Sequence, residues 1–257
     1  LALLAGCATE ADVAPSRETL RPGDPFPHAL WTDVLRRHSR DGLVDYPALA
    51  ADRAGLDAYL GWLARHSPAS DPDLFPRRED RLAWLINAYN ACTVRGVVDR
   101  WPIASVRDAG PTGTEFWTLT SWPLGGRPRT LRQLEDEIRT FGDPRIHFAI
   151  NCASLGCPRL PDEAFEPDRL ESQLEREARA FVADGRNVRV EGDALVLSKI
   201  FQWYRREFEE FQEARGGAPD LADYVRSLGA AVPAGAELEF GGYDWGINLW
   251  KRGEERR

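Results

Sequence analysis

The chain has 257 residues, 43% hydrophobic and 29% charged, and its 22 Gly and 18 Pro are too few for a low-complexity sequence. Its 33 basic and 41 acidic residues give a net charge of −8, which argues against a nucleic-acid partner, because such proteins offer phosphates a basic footprint. No apolar run reaches the roughly 20 residues that a membrane-spanning helix needs.

The chain opens Leu1-Ala2-Leu3-Leu4-Ala5-Gly6-Cys7 and contains no Met, which resembles the back end of a secretory signal peptide. Leu4-Ala5-Gly6-Cys7 also matches the bacterial lipobox, in which small residues admit the signal peptidase and the Cys thiol receives diacylglycerol. Residues 1–7 are therefore expected to be a signal remnant ending at a lipidated Cys7. Several acyl chains on one Cys anchor firmly, at about 0.8 kcal/mol per buried methylene. Ala8, rather than Asp, follows the Cys. The expected location is thus the bacterial cell envelope, at the periplasmic face of the outer membrane. Residues 8–26 carry Pro15, Pro22 and Pro25 with little periodicity and are predicted to be a flexible tether.

Leu30, Trp31, Val34, Leu35 and His38 mark one face of a first helix, and Gly42 breaks the chain before Val44-Asp45-Tyr46. Leu49, Leu56, Tyr59, Leu60 and Leu63 mark a second helix, and the proline-bearing stretch 66–77 a loop. A long helix is predicted from Glu79 to Arg100, stopped by Trp101-Pro102, since the residue before proline disfavours helix. Glu115–Trp122 is aromatic and β-branched and leads to Leu124-Gly125-Gly126, a hairpin signal. Thr130 and Gln133 form a capping box for a short helix that Gly142 closes. Ile146, Phe148 and Ile150 alternate over Arg145–Cys152, the period of a strand. A helix over Asp168–Ala183 follows, then two short strands over Asn187–Leu197 around Glu191-Gly192-Asp193. Ser198 caps an aromatic helix that Gly216-Gly217 ends; a last helix near Leu221–Leu228, an irregular aromatic tail and a charged end over 251–257 complete the chain. Helices and strands mix without regular βαβ spacing. The predicted fold is α+β: a single helix-rich domain over 27–250 around a small, mostly antiparallel sheet.

Histidine and cysteine are scarce, four residues each, yet His147, Cys152 and Cys157 fall within eleven residues, where the predicted strand enters a Gly-containing loop. Three readings of this cluster stay open. In an oxidising compartment Cys152 and Cys157 can close a disulfide, worth only about 2 kcal/mol because the loop is short. Alternatively, Cys152 is a thiolate nucleophile with His147 as base, and the Ala153–Ser154 backbone offers N–H groups to an oxyanion. The third reading is a metal site on His147 and both cysteines, but CxxC and HExxH spacings are missing and no fourth ligand stands out. No metal or cofactor is therefore assigned.

The long helix carries a second polar set. At 100° per residue Glu79, Asn90 and Asn87 fall at about 0°, 20° and 80°, flanking the stripe of Leu82, Ile86, Tyr89 and Thr93. Asn is a mediocre helix former, so two beside an apolar stripe suggest a pocket wall or caps for neighbouring loops. Cys92 falls on the far side and is expected to be packing. Among the abundant aromatics, Trp117, Trp122, Trp203, Trp245 or Trp250 can form a platform for a glycan or peptide, although most aromatics are expected in the core.

Four blocks together carry a resemblance. Leu82-Ala83-Trp84-Leu85-Ile86-Asn87-Ala88-Tyr89-Asn90-Ala91, Asp143 to Ala149 with Cys152-Ala153-Ser154 and Gly156-Cys157-Pro158, Leu197 to Tyr204, and Tyr243-Asp244-Trp245 with Asn248 resemble the domain of unknown function 547 family in order and spacing. The resemblance covers about 28–250. It implies a single domain, often exported or lipid-anchored in bacteria, and points at Glu79, Asn87, Asn90, His147, Cys152 and Cys157 without stating an activity.

Two functions follow for an envelope lipoprotein whose partners are the membrane, through its anchor, and an envelope substrate or protein. One is a thiol-dependent hydrolase or acyl-transfer enzyme. Cys152 is then the nucleophile, His147 the base and Asn87 or Glu79 the group orienting the imidazole. Asn90, Ser154, Trp84 and Trp203 are its candidate binding residues. The other is a non-catalytic ligand- or protein-binding lipoprotein whose Cys152–Cys157 bridge shapes a loop.

Overall fold

In the computed structural model, which describes residues 9–251, the chain starts with a two-residue strand, β1 (Thr9–Glu10), laid parallel to residues 120–121. The stretch expected to be a free tether follows the domain instead. Ser16 donates its backbone N–H to the Gly61 carbonyl, and Ala11, Val13 and Phe26 pack on the core. The reason is apolar surface that the proline content masked. Gly61 is needed beneath this strap, since a Cβ there would sit 2.9 Å from the Ala14 carbonyl oxygen. The lipobox with Cys7, and the charged end after Lys251, lie outside the described residues.

Helix α1 (His28–His38) leads into the small hairpin β2 (Ser39–Arg40) and β3 (Leu43–Val44), then α2 (Tyr46–Ala51) and α3 (Ala54–Arg65). Asp45 caps α2 by accepting the Ala48 N–H. Helix α4 (Arg78–Val98) is the axis of the domain: every residue from Leu82 to Val98 is buried, with α1, α2, α3 and a later helix packed around it. A helix enclosed on all sides has no solvated edge, so the flanking asparagines are buried too.

The predicted hairpin forms, but later than its aromatic run suggests. Glu115–Thr118 is a helical turn, α5, because the Glu115 carboxylate accepts the Thr112 and Thr114 N–H groups. Strands β4 (Thr120–Leu124) and β5 (Arg127–Thr130) follow, joined by Gly125-Gly126, both with positive φ (57° and 72°) as a tight hairpin turn requires. The Thr130/Gln133 capping box closes in both directions, at 3.2 and 2.9 Å, and opens α6 (Leu131–Arg139).

The strand predicted over Arg145–Cys152 does not form. Residues 144–148 make a 3₁₀ turn, started by Asp143, whose carboxylate accepts the Arg145 N–H at 3.0 Å, and by Pro144 at its first position. All residues from 143 to 151 are buried, so the alternation never separated a core face from a solvent face. The segment is the seam between two apolar clusters. Ile146, Ala149 and Ile150 join the cluster around α4, while Phe148 enters one built on Phe201, Phe208 and Tyr224.

The second cluster lies under α7 (Leu170–Ala183), the antiparallel pair β6 (Val188–Glu191) and β7 (Ala194–Leu197), α8 (Lys199–Trp203), α9 (Arg205–Ala214) and α10 (Leu221–Ser227). The single aromatic helix expected after Ser198 is interrupted at Tyr204. The tail expected to be irregular supplies β8 (Glu237–Phe240), parallel to β7, with Leu238 and Phe240 packed on the core. The fold class is α+β, helix-rich and single-domain. Among the described residues its mostly antiparallel strands are divided among three small sheets, β1-β4-β5, β2-β3 and β6-β7-β8. No helix among the described residues is long and apolar enough to cross a membrane.

Candidate functional site

The loop after the 3₁₀ turn is tied down from several sides. Asn90 on α4 donates to the Ala149 carbonyl (2.9 Å) and accepts the Asn151 N–H (2.8 Å), so the two predicted motif blocks do meet. Asn151 in turn donates to the Pro158 carbonyl (2.6 Å) and accepts the Ala153 N–H (2.8 Å). The C-terminal segment closes the other side: Leu155 and Gly156 donate to the Gly246 and Asp244 carbonyls, and Asn248 N–H donates to Ala153. Gly156 permits this approach, since a Cβ would stand 2.9 Å from the Asp244 nitrogen. Within this frame Cys152 and Cys157 form a disulfide.

The disulfide lines a cleft of about 450 Å³. Four rings make its aromatic wall: Tyr243 and Trp245 lie 4.4 Å apart between centroids, Trp203 is 4.9 Å from Tyr243, and Trp117 is 6.1 Å from Trp245. Trp203 is 49% exposed, unusual for so large a ring. The Arg107 guanidinium lies over Trp245 at 5.2 Å.

His147 lines the same cleft but is engaged elsewhere. Its Nε2 lies 2.8 Å from Glu207 Oε2 and its ring stacks on Tyr204 at 3.6 Å. Nδ1 is buried with no hydrogen-bond partner among the described residues. Burial pulls the imidazole below its ordinary value, against the opposing pull of Glu207. Arg139 holds Glu207 from the other side at 2.6 Å, and Tyr204 donates its hydroxyl to Glu135 at 2.6 Å.

The predicted site residues are therefore split. His147, Cys152, Cys157 and Trp203 share the cleft. The group orienting the imidazole is Glu207, not Asn87 or Glu79. Asn87 is fully buried, exchanging two hydrogen bonds with the Phe165 backbone (2.8 and 2.9 Å) and meeting His28 Nδ1 at 3.1 Å. Glu79 is half-buried in the first turn of α4 and is not a cleft residue. Trp84 is core, edge-on to Phe75. Asn90 holds the loop rather than facing the cleft, and the Ala153 N–H offered to an oxyanion is already given to Asn151. Ser154 is buried, its Oγ 3.5 Å from Cys152 Sγ. Cys92 is buried, as packing requires. Among the described residues no three of His, Cys, Asp and Glu converge as metal ligands. Glu207, Tyr204, Arg107 and Tyr243 were not singled out for a site. Tyr204 and Tyr243 carry a signal, through the Leu197–Tyr204 and aromatic C-terminal blocks, whereas Glu207 and Arg107 carry none.

Fold and cleft together define an α+β domain with an aromatic cleft walled on one side by a disulfide loop. Residues 74–182 match the family described as a protein of unknown function, DUF547, which supports the resemblance seen in the sequence. That span holds Asn87, Asn90, His147 and both cysteines, and ends before Tyr204, Glu207 and the Tyr243–Trp245 wall. No curated protein and no solved structure matches the chain.

Proposed function

We propose that the cleft binds a segment of another polypeptide and that the Cys152–Cys157 disulfide forms part of its wall. The observation that carries this reading is the makeup of the lining. Six aromatic rings, those of Tyr89, Trp117, Trp203, Tyr204, Tyr243 and Trp245, line it together with the disulfide, the charged groups are Arg107, Arg132 and Glu135, and no Asn, Gln or Asp lines it among the described residues. Sugar hydroxyls call for a dense set of planar polar side chains, and among the described lining residues, besides the engaged His147, only Arg107, Arg132 and Glu135 are of that kind. Peptide side chains need apolar area and a few charges, which this cleft offers. Replacing Trp203 by alanine is expected to weaken binding of short aromatic-rich peptides at least tenfold, about 1.4 kcal/mol. Tryptophan-fluorescence titration measures this, and saturation by oligosaccharides but by no peptide would overturn the reading.

The thiol-hydrolase reading keeps one supporting observation, that His147 and Cys152 line one cleft. It requires a free Cys152 thiol, which the disulfide withholds.

We also propose that the protein is lipid-anchored at Cys7 in the bacterial envelope, on the periplasmic face of the outer membrane. Leu4-Ala5-Gly6-Cys7 followed by Ala8 supports it. Metabolic palmitate labelling is expected to mark the protein, and to be lost on Cys7→Ser; label that persists in this variant contradicts the anchor.

A further inference from the structure

We propose that the Cys152–Cys157 disulfide exchanges with thiols of the bound polypeptide, so that the cleft oxidises a cysteine pair presented to it. This rests on the peptide-binding reading of the same cleft.

The first observation is that the crosslink is not what holds its loop. Asn90 and Asn151 fix both ends by side-chain hydrogen bonds, and Ala153, Leu155 and Gly156 are bonded through their backbones to the segment 244–248. Closing so short a loop adds little further stability. The second is accessibility: both cysteines line the cleft, with Cys152 half-buried and Cys157 only 9% exposed. Cys152 is the sulfur that an incoming thiolate reaches. The third is the set of donors. The Cys152 backbone N–H points at Cys157 Sγ at 2.9 Å, and the Tyr243 hydroxyl at Cys152 Sγ at 3.1 Å. No carboxylate is bonded to either sulfur among the described residues. A sulfur that accepts an N–H carries negative charge more readily and leaves faster.

The exchange balances as follows. A partner thiolate attacks Cys152 Sγ. The new S–S bond forms as the Cys152–Cys157 bond breaks, and the electron pair stays on Cys157 Sγ beside the Cys152 N–H. The partner's second thiolate then attacks its own sulfur in the mixed disulfide and releases Cys152 as a thiolate. Two electrons pass from the partner dithiol to the protein, and the two protons end on Cys152 and Cys157. An external disulfide such as oxidised glutathione restores the pair by the reverse steps.

The test uses the full chain and a reduced aromatic-rich peptide bearing two cysteines. The protein is expected to oxidise this probe at least tenfold faster than a synthetic disulfide peptide spanning residues 150–160, with its tryptophan fluorescence unchanged. In Cys157→Ser the oxidised probe should form a mixed disulfide at Cys152, whereas Cys152→Ser should leave Cys157 unmodified. A rate no faster than the synthetic peptide, adducts on Cys157 instead, or reduction only on unfolding overturns the proposal. A cysteine-free version of the probe, titrated onto the oxidised protein, separates the two readings. Binding without exchange overturns the exchange alone, and no binding overturns the peptide reading and the exchange with it.

Discussion

Replacing Asn87 by alanine is expected to lower unfolding stability by about 3 kcal/mol or more. The amide is fully buried and answers both the N–H and the carbonyl of Phe165, while its Nδ2 also faces His28 Nδ1. Truncation strands the Phe165 N–H and carbonyl where water does not replace them, while His28 Nδ1 keeps the Tyr59 hydroxyl at 2.9 Å, and each unsatisfied polar group costs about 1–3 kcal/mol. Asn87→Asp tests the donor separately, because a carboxylate can accept from Phe165 but cannot donate to its carbonyl. Urea unfolding measures both variants through the midpoint at an unchanged m-value. A loss below about 1 kcal/mol in Asn87→Ala contradicts the account.

Acidification should be costly through the same cluster. Burial lowers the His28 imidazole from 6.5 to about 3, with Asp80 opposing. Between those values the unfolded chain binds a proton that the folded chain refuses. The stability is therefore fully present above about pH 6.5 and is lost as pH falls toward 3. Going from pH 7 to pH 5 is expected to cost about 2 kcal/mol from His28 alone. His147, also lowered by burial, acts in the same direction. The carboxylates held below their ordinary values, such as Glu207 and Glu171, add their share only at lower pH. Urea unfolding at the two pH values gives the slope, and His28→Gln should flatten it. An equally steep slope in that variant contradicts the assignment.

Local chemistry made much of the fold legible. The Thr130/Gln133 box, the Gly125-Gly126 turn and the proline after Trp101 each act within a few residues, so their signals survive in any context. The 145–152 segment misled because period-two alternation identifies a strand only when one face meets water, and here both faces are buried. Strand β8 was missed for the opposite reason. Glu237-Leu238-Glu239-Phe240 alternates in exposure, but four residues after a Gly-containing stretch make too short a pattern. At the site, His147 and the two cysteines stood out by scarcity. Glu207 did not, because it sits among charged neighbours on α9 and its link to His147 spans 60 positions. The helical wheel grouped Asn87 and Asn90 but could not show that α4 is enclosed all round. That enclosure sends one amide to Phe165 and the other to the disulfide loop.

The docking of β1 along β4 fixes how far this protein can stray from whatever holds its N-terminal end. Thr9 is paired with Thr120, and Cys7 precedes it by only two residues. Two residues reach at most about 7 Å. Were the proposed acyl chains on Cys7, the domain would have no leash: the edge of the β1-β4-β5 sheet would ride at the headgroups, with its facing set by the fold instead of by a swinging linker. Its working radius would then be its own diameter, and a partner would have to arrive at the bilayer surface to be met.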